Sequence, residues 1–257
     1  MVVKKVINVN KNQWNNVISN NSLCIAGPCA IENYFMMERI VKFLLSRGVS
    51  TIRAGVFKPR TLHSSFQGLG ADGLEILKQI KQVYNFQVVS EIVDVRYLDE
   101  MLECVDILQV GTRNMYNYEL LKELGKIRVP IILKRGLCAT IKEFLAAAEY
   151  IFVGGNDNLL LCERGVRSFD NCTRNLLDLS CVAIIKKETD FPILVDISHS
   201  LGRKDIAPQV AKAALAIGAD GIMVEVHEQP EIALSDSEQQ MNFAEFDRFY
   251  RQVFLAR

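Results

Sequence analysis

The 257-residue chain has no surplus of either charge and no apolar run of membrane-spanning length. Lys+Arg and Asp+Glu both number 30, so nothing in the net charge calls for a nucleic-acid or acidic-membrane partner, although local basic clusters can still bind small anions. Aromatic side chains are not interleaved with a basic stripe, which argues against single-stranded nucleic acid. Charge or Gly interrupts each apolar stretch, and the opening MVVKKVINVNKNQW lacks the apolar centre of a signal peptide; a cytoplasmic protein with no membrane partner is expected. The seven Cys show no repeated CxxC spacing, which excludes common structural zinc modules and leaves reduced, mostly buried thiols as the default. No GxGxxG follows the first strand-like run and no P-loop string occurs, so nucleotide binding has no motif behind it.

What is present is a regular alternation. Short β-rich runs lie at 23–26, 51–54, 87–90, 107–110, 131–133, 159–162, 193–195 and 222–224, and amphipathic stretches with helical period lie at 37–45, 73–84, 118–124, 140–148 and 207–216. Strands apolar on both sides suit a parallel sheet covered by helices, and about eight such units in a chain of this length predict one (β/α)8 barrel over 22–257. An open doubly wound sheet is the rival. The barrel is favoured because Arg53, Glu91, Arg113, Lys134, Arg164, His199 and Glu225 each stand at or just beyond the C-terminal end of a strand, the face where barrel enzymes keep their chemistry. Residues 1–21 read as an N-terminal extension, a short hairpin or a plug under the barrel. The Gly-rich segment 62–72 is the expected lid.

Two sets of residues could carry chemistry. Cys29, His199, Glu225 and Asp236 come from strand ends or the loops after them, and in a closed barrel such ends converge. Thiolate, imidazole and two carboxylates suit Mn, Fe, Co or Zn better than Mg or Ca. Taken singly, Cys29 fits a small buried thiol better, and Asp236 after Ser235 could simply open a turn. The second set is basic: Arg53, Lys58, Arg60, Arg113, Lys134, Arg135, Arg164 and Arg167 lie at successive strand ends. Such a cluster repels itself unless an anion with phosphate and carboxylate groups occupies it; ion pairing with Glu91, Glu163 and their neighbours is the competing explanation. The turns Gly111-Thr112-Arg113 and Arg164-Gly165 could bring backbone N–H groups to a phosphate.

The strings AGPCAIEN (26–33), RAGVFKPRT (53–61), FQGLG (66–70), DILQVGTRNM (106–115), LKRG (133–136), LCERGVRSF (161–169), DISHSLGR (196–203), GADGIMVEVH (218–227) and ALSD (233–236) resemble the short, Iβ-type 3-deoxy-arabino-heptulosonate 7-phosphate (DAHP) synthases over most of the chain. The resemblance implies condensation of phosphoenolpyruvate with erythrose 4-phosphate and water, the first step of the shikimate pathway, in a homodimer or homotetramer. It implies that Cys29, His199, Glu225 and Asp236 bind the divalent metal. Arg113 and Arg164 would hold the phosphoenolpyruvate phosphate, with Arg53, Lys58 and Lys134 around its carboxylate and reacting carbons. Lys58, Arg60 and Thr61 belong to the KPRT string, which the resemblance implies is the element that contacts the aldose. Lys134 and Glu91 are the expected proton-transfer partners, with Lys58 beside them, and His199 is a ligand rather than a base.

Departures from the family pattern bear on the aldose. Ile197 replaces Pro before the Ser-His pair, Ser200-Leu201 replaces Ala-Thr, Leu62-His63-Ser64 replaces a Ser-Pro-Tyr-like segment, and Ala54 stands where Gly is common. The alternatives are therefore the same condensation on a modified or longer aldose phosphate, and a non-catalytic barrel that binds sugar phosphates. The chain has no length for an added regulatory domain, so little feedback inhibition by aromatic amino acids is expected.

Overall fold

The computed structural model describes Trp14 and residues 22–256. Eight strands, β1 (Leu23–Gly27), β2 (Thr51–Arg53), β3 (Gln87–Ile92), β4 (Ile107–Val110), β5 (Ile131–Lys134), β6 (Leu159–Glu163), β7 (Ile193–Asp196) and β8 (Gly221–Glu225), follow one another in parallel, and β8 closes on β1. The expected (β/α)8 barrel is therefore the architecture. Closure needs a close approach: a Cβ on Gly221 would sit 2.2 Å from the carbonyl oxygen of Leu23, so only Gly fits there.

The crossover helices are α1 (Tyr34–Ser46), α2 (Ala71–Val83), α3 (Leu98–Leu102), α4 (Tyr118–Lys126), α5 (Ile141–Val153), α6 (Leu179–Glu188) and α8 (Ala207–Ala216); a five-residue α7 (Ile197–Leu201) directly follows β7, and α9 (Phe243–Tyr250) follows β8. The five helices expected from periodicity are α1, α2, α4, α5 and α8. The short α3 and α7 offer too few turns for a period to show, and α6 and α9 went unread. Asn33, Asn117, Thr140, Asp178 and Asn242 cap α1, α4, α5, α6 and α9 by accepting a backbone N–H, which satisfies donors that the first turn leaves free. The expected lid at 62–72 ends inside α2, and its base is tied down by hydrogen bonds from Lys58 N to Gln67 O and from Gly70 N to Val56 O.

The core has two compartments because side chains alternate along a strand. One set, with Ile52, Val88, Leu108, Leu133, Leu161, Val195 and Val224, packs outward against the helices. The other fills the barrel: Leu23, Ile25, Val89, Ile107, Ile132, Leu160, Leu194 and Met223, with Trp14 buried among them. The remainder of the 1–21 extension lies outside the described residues. Two positions further along each inward row come Arg53, Glu91, Gln109, Lys134, Asp196 and Glu225, so the same period that builds the interior delivers its polar top layer.

Candidate active site

The four residues expected to hold a metal meet at the C-terminal end of the barrel. Cys29 lies in the loop after β1, Glu225 ends β8, His199 is in the middle of α7 and Asp236 is in the loop after β8. The Cys29 Sγ and carboxylate oxygens of Glu225 and Asp236 all lie within 4.8 Å of one another, and the Cys29 thiol donates to Asp236 Oδ2 at 3.1 Å. His199 Nε2 reaches Glu225 Oε1 at 3.5 Å and Asp236 Oδ2 at 3.8 Å. Sulfur, nitrogen and two carboxylates thus converge from three strand ends.

Several observations fit this set to a divalent ion. Glu225 Oε1 is buried and accepts no hydrogen bond from the described residues, its contact with Arg53 Nη2 at 2.9 Å being an ion pair without hydrogen-bond alignment. Asp236 holds a left-handed backbone, φ 49°, the one non-Gly residue with positive φ among those described, and such strain is retained where surrounding structure demands it. Burial lowers the pKa of His199 against the pull of Asp196 and Glu225, which favours the neutral imidazole that ligates metals. Burial and Glu225 push the Cys29 thiol up to about 12, so a cation is needed to hold it as thiolate. Burial raises the Asp236 carboxyl, but the positive charges of His199 when protonated, Lys58 and Arg174 outweigh it and keep the group well below the usual carboxylate range.

Beside this cluster opens a cavity of about 400 Å³ lined by Arg53, Lys58, Arg60, Arg113, Lys134, Arg164, Arg167 and Arg174, against Glu91 and Asp236 as its only carboxylates. Thr61 is in the same wall, where its Oγ1 accepts from Arg113 Nη2 at 3.3 Å. Some of these cations are partnered. Arg53 faces Glu225, Lys134 Nζ donates to Asp196 Oδ2 at 2.5 Å, and Arg60 and Arg174 lie 3.8 and 3.4 Å from Asp236. Among the described residues no carboxylate lies within ion-pair distance of Lys58, Arg113, Arg164 or Arg167. Arg164 is only 5% exposed, and burial together with the charge of Arg174 depresses its pKa, so a buried guanidinium there is waiting for an anion. Two N–H-bearing nitrogens of Arg53, Nε and Nη1, are also buried without a hydrogen-bond partner among the described residues. Burial works against the Lys58 charge, but Cys29, Glu91 and Glu225 together raise its pKa and keep it an ammonium. Glu91 accepts from Gln109 Nε2 at 3.5 Å and lies against Gly111, where an added Cβ would come within 1.9 Å of its Oε1.

Two readings of the sequence change. Arg135 is not part of the anion cavity: its Nη1 donates to Glu163 Oε2 and Asp178 Oδ2, both at 2.9 Å, on the opposite face of β5 from Lys134. Gly165 N donates to Glu163 Oε1 at 2.6 Å, so that N–H is not offered to a phosphate. The Gly111-Thr112-Arg113 turn does line the cavity, and Gly111 has an ordinary φ of −69° with the Glu91 carboxylate packed against its Cα. Sequence reasoning also missed four residues. Asp196 and Gln109 occupy inward positions two residues after an inward apolar one, a signal that was available. Gln239, which donates to Glu225 Oε2 and accepts from Arg174 Nη1 at 2.6 Å, and Arg174 itself sit in loops where no period marks them.

The sequence and the fold have known relatives. Residues 7–254 match the family model described as the DAHP synthetase I family. The phospho-2-dehydro-3-deoxyheptonate aldolase of Thermotoga maritima is 47% identical over 89% of this chain and 68% of its own length, and its crystal structure superposes with a TM-score of 0.86 at 46% identity, covering 91% of this chain and 68% of that one. A truncated form of the Thermotoga maritima 3-deoxy-D-arabino-heptulosonate 7-phosphate synthase gives 0.82 at 44% identity, covering 89% and 84%. A 2-dehydro-3-deoxyphosphooctonate aldolase of Francisella tularensis is more distant, at 30% identity over 82% of each chain. By fold, by sequence over nearly its whole length and by the strings that line its cavity, the chain belongs to the DAHP synthetase I family.

Proposed function

We propose that this chain condenses phosphoenolpyruvate with erythrose 4-phosphate and water to give DAHP and phosphate, opening the shikimate pathway. The observation that carries the reading is the placement of a sulfur–nitrogen–carboxylate cluster on the wall of a cavity whose buried Arg164 has no counter-anion among the described residues. A divalent ion held by Cys29, His199, Glu225 and Asp236 would supply Lewis-acid polarisation of the aldehyde oxygen. Arg164 and Arg113 take the phosphoenolpyruvate phosphate. Arg53, Lys58 and Lys134 surround its carboxylate and hold C3 toward the aldehyde carbon. As C3 forms the new carbon–carbon bond, positive charge develops at C2, water adds there, and the C2–oxygen bond to phosphate breaks with the two arginines neutralising the departing dianion. Lys134 and Glu91, which both line the cavity, are the proton-transfer partners. Lys58, Arg60 and Thr61 form the aldose side, where the Thr61–Arg113 hydrogen bond ties the two substrate regions together.

A second reading has its own observation. Leu62, 67% exposed, lines the cavity directly after Thr61, where the family carries a different segment; a longer or modified aldose phosphate would meet it there. Kinetics with a panel of four-carbon, five-carbon and amino-substituted aldose phosphates separates the two. Erythrose 4-phosphate should give the highest kcat/KM, with one phosphate released per phosphoenolpyruvate consumed. A five-carbon aldose phosphate ranking first would replace the assignment, and binding of phosphoenolpyruvate without turnover of any aldehyde would point to a non-catalytic barrel.

A further inference from the structure

Asp196 ends β7, points into the barrel and is wholly buried. Its Oδ2 accepts from Lys134 Nζ at 2.5 Å and pairs with His199 Nδ1 at 2.8 Å, while Oδ1 accepts from His199 N at 3.0 Å. An ionised carboxylate has no proton to give, so the imidazole must donate Nδ1–H to it. The lone pair then lies on Nε2, the atom that faces Glu225 and Asp236. The ammonium of Lys134 has three N–H bonds and spends one on Asp196, which leaves two for a ligand in the cavity.

We propose that Asp196 is a positioning residue that serves both halves of the site at once, orienting His199 for the ion and aiming Lys134 at phosphoenolpyruvate. This rests on the functional reading above. The simpler alternative is that Asp196 only neutralises a buried lysine and caps α7. The two differ in what Asp196→Asn does, because Asn can still cap a helix but carries no charge and presents an N–H₂ where Lys134 and His199 both need an acceptor.

The test takes the intact protein and measures Co²⁺ affinity by calorimetry, phosphoenolpyruvate affinity in metal-free protein, and kcat and KM at saturating Co²⁺. Asp196→Asn should weaken Co²⁺ binding by about 10–100-fold, as loss of an outer-shell partner does. It should lower kcat by about 100-fold through a misaimed Lys134, while phosphoenolpyruvate binding does not weaken, since a negative charge has left an anion site. Unchanged Co²⁺ affinity, or a KM for phosphoenolpyruvate that rises with kcat intact, overturns the proposal. Nitrogen NMR of His199 in the metal-free wild type gives an answer even if the variant does not fold: the proton must be on Nδ1, and an Nε2–H tautomer overturns the orientation. Cys29→Ala separates failure of this inference from failure of the metal assignment. If that variant binds Co²⁺ like the wild type, the ligand set is wrong and Asp196 is not the point at issue.

Discussion

At the scale of single residues, the site is decided by which side of a strand a charge occupies. Lys134 and Arg135 are neighbours of like charge, yet one faces the cavity and the other is bonded to Glu163 and Asp178. Glu163 and Arg164 divide in the same way. Residue type and position near a strand end made Arg53, Lys58, Lys134 and Arg164 legible as candidates, but separating Arg135 from them needs the phase of the two-residue period. Substitutions should expose the difference. Arg135→Ala leaves the wholly buried Glu163 carboxylate without its cation and should cost about 3–5 kcal/mol of stability, with the KM for phosphoenolpyruvate unchanged in the protein that stays folded. Arg164→Ala removes a cation that has no counter-ion among the described residues, so thermal stability should hold or rise while that KM increases about 10–100-fold, the loss of charge-assisted hydrogen bonds. Thermal melts beside steady-state kinetics check both.

At the scale of elements, the strands were legible almost residue by residue because most are short, nearly continuous apolar runs; β2 and β3, with Arg53, Ser90 and Glu91, are the more polar ones. Five of the helices were read from their period; α3 and α7, at five residues each, are too short to show one, and α6 and α9 were missed although they run for ten and eight residues. The loop after β8 was the least legible part, since its conformation depends on long-range contacts. Asp236 in its left-handed backbone is held by Arg174 from the loop after β6, and Gln239 links that arginine to Glu225. The loops after β6 and β8 therefore act together as a frame for two of the four ligands. Gln239→Ala should weaken Co²⁺ affinity about tenfold with little change in the melting temperature of the metal-free protein. Calorimetric titration is the check, and an unchanged affinity would mean that the frame is supported elsewhere.

At the scale of the whole molecule, a chain with equal numbers of acidic and basic groups gathers eight cations around one cavity, an asymmetry that composition alone hides. The barrel makes it possible by converging strand ends that are distant in sequence. No helix among the described residues is long and apolar enough to cross a membrane. Closure also sets the pH response of the metal cluster. Burial and Glu225 hold the Cys29 thiol up at about 12, so metal binding must expel its proton at any ordinary pH; His199, its pKa lowered, is already neutral and releases none. Apparent Co²⁺ affinity should therefore rise about tenfold per pH unit between pH 7 and 9, one proton being released per ion bound. Titrations in buffers of different ionisation heat measure that proton directly.

The convergence of Cys29, His199, Glu225 and Asp236 on one ion is tested most directly by X-ray absorption of the Zn²⁺- or Co²⁺-loaded protein. The account predicts a single sulfur at about 2.3 Å with nitrogen and oxygen neighbours near 2.0–2.2 Å, and loss of the sulfur shell in Cys29→Ser. A first shell of oxygen and nitrogen alone in the wild-type protein would contradict it.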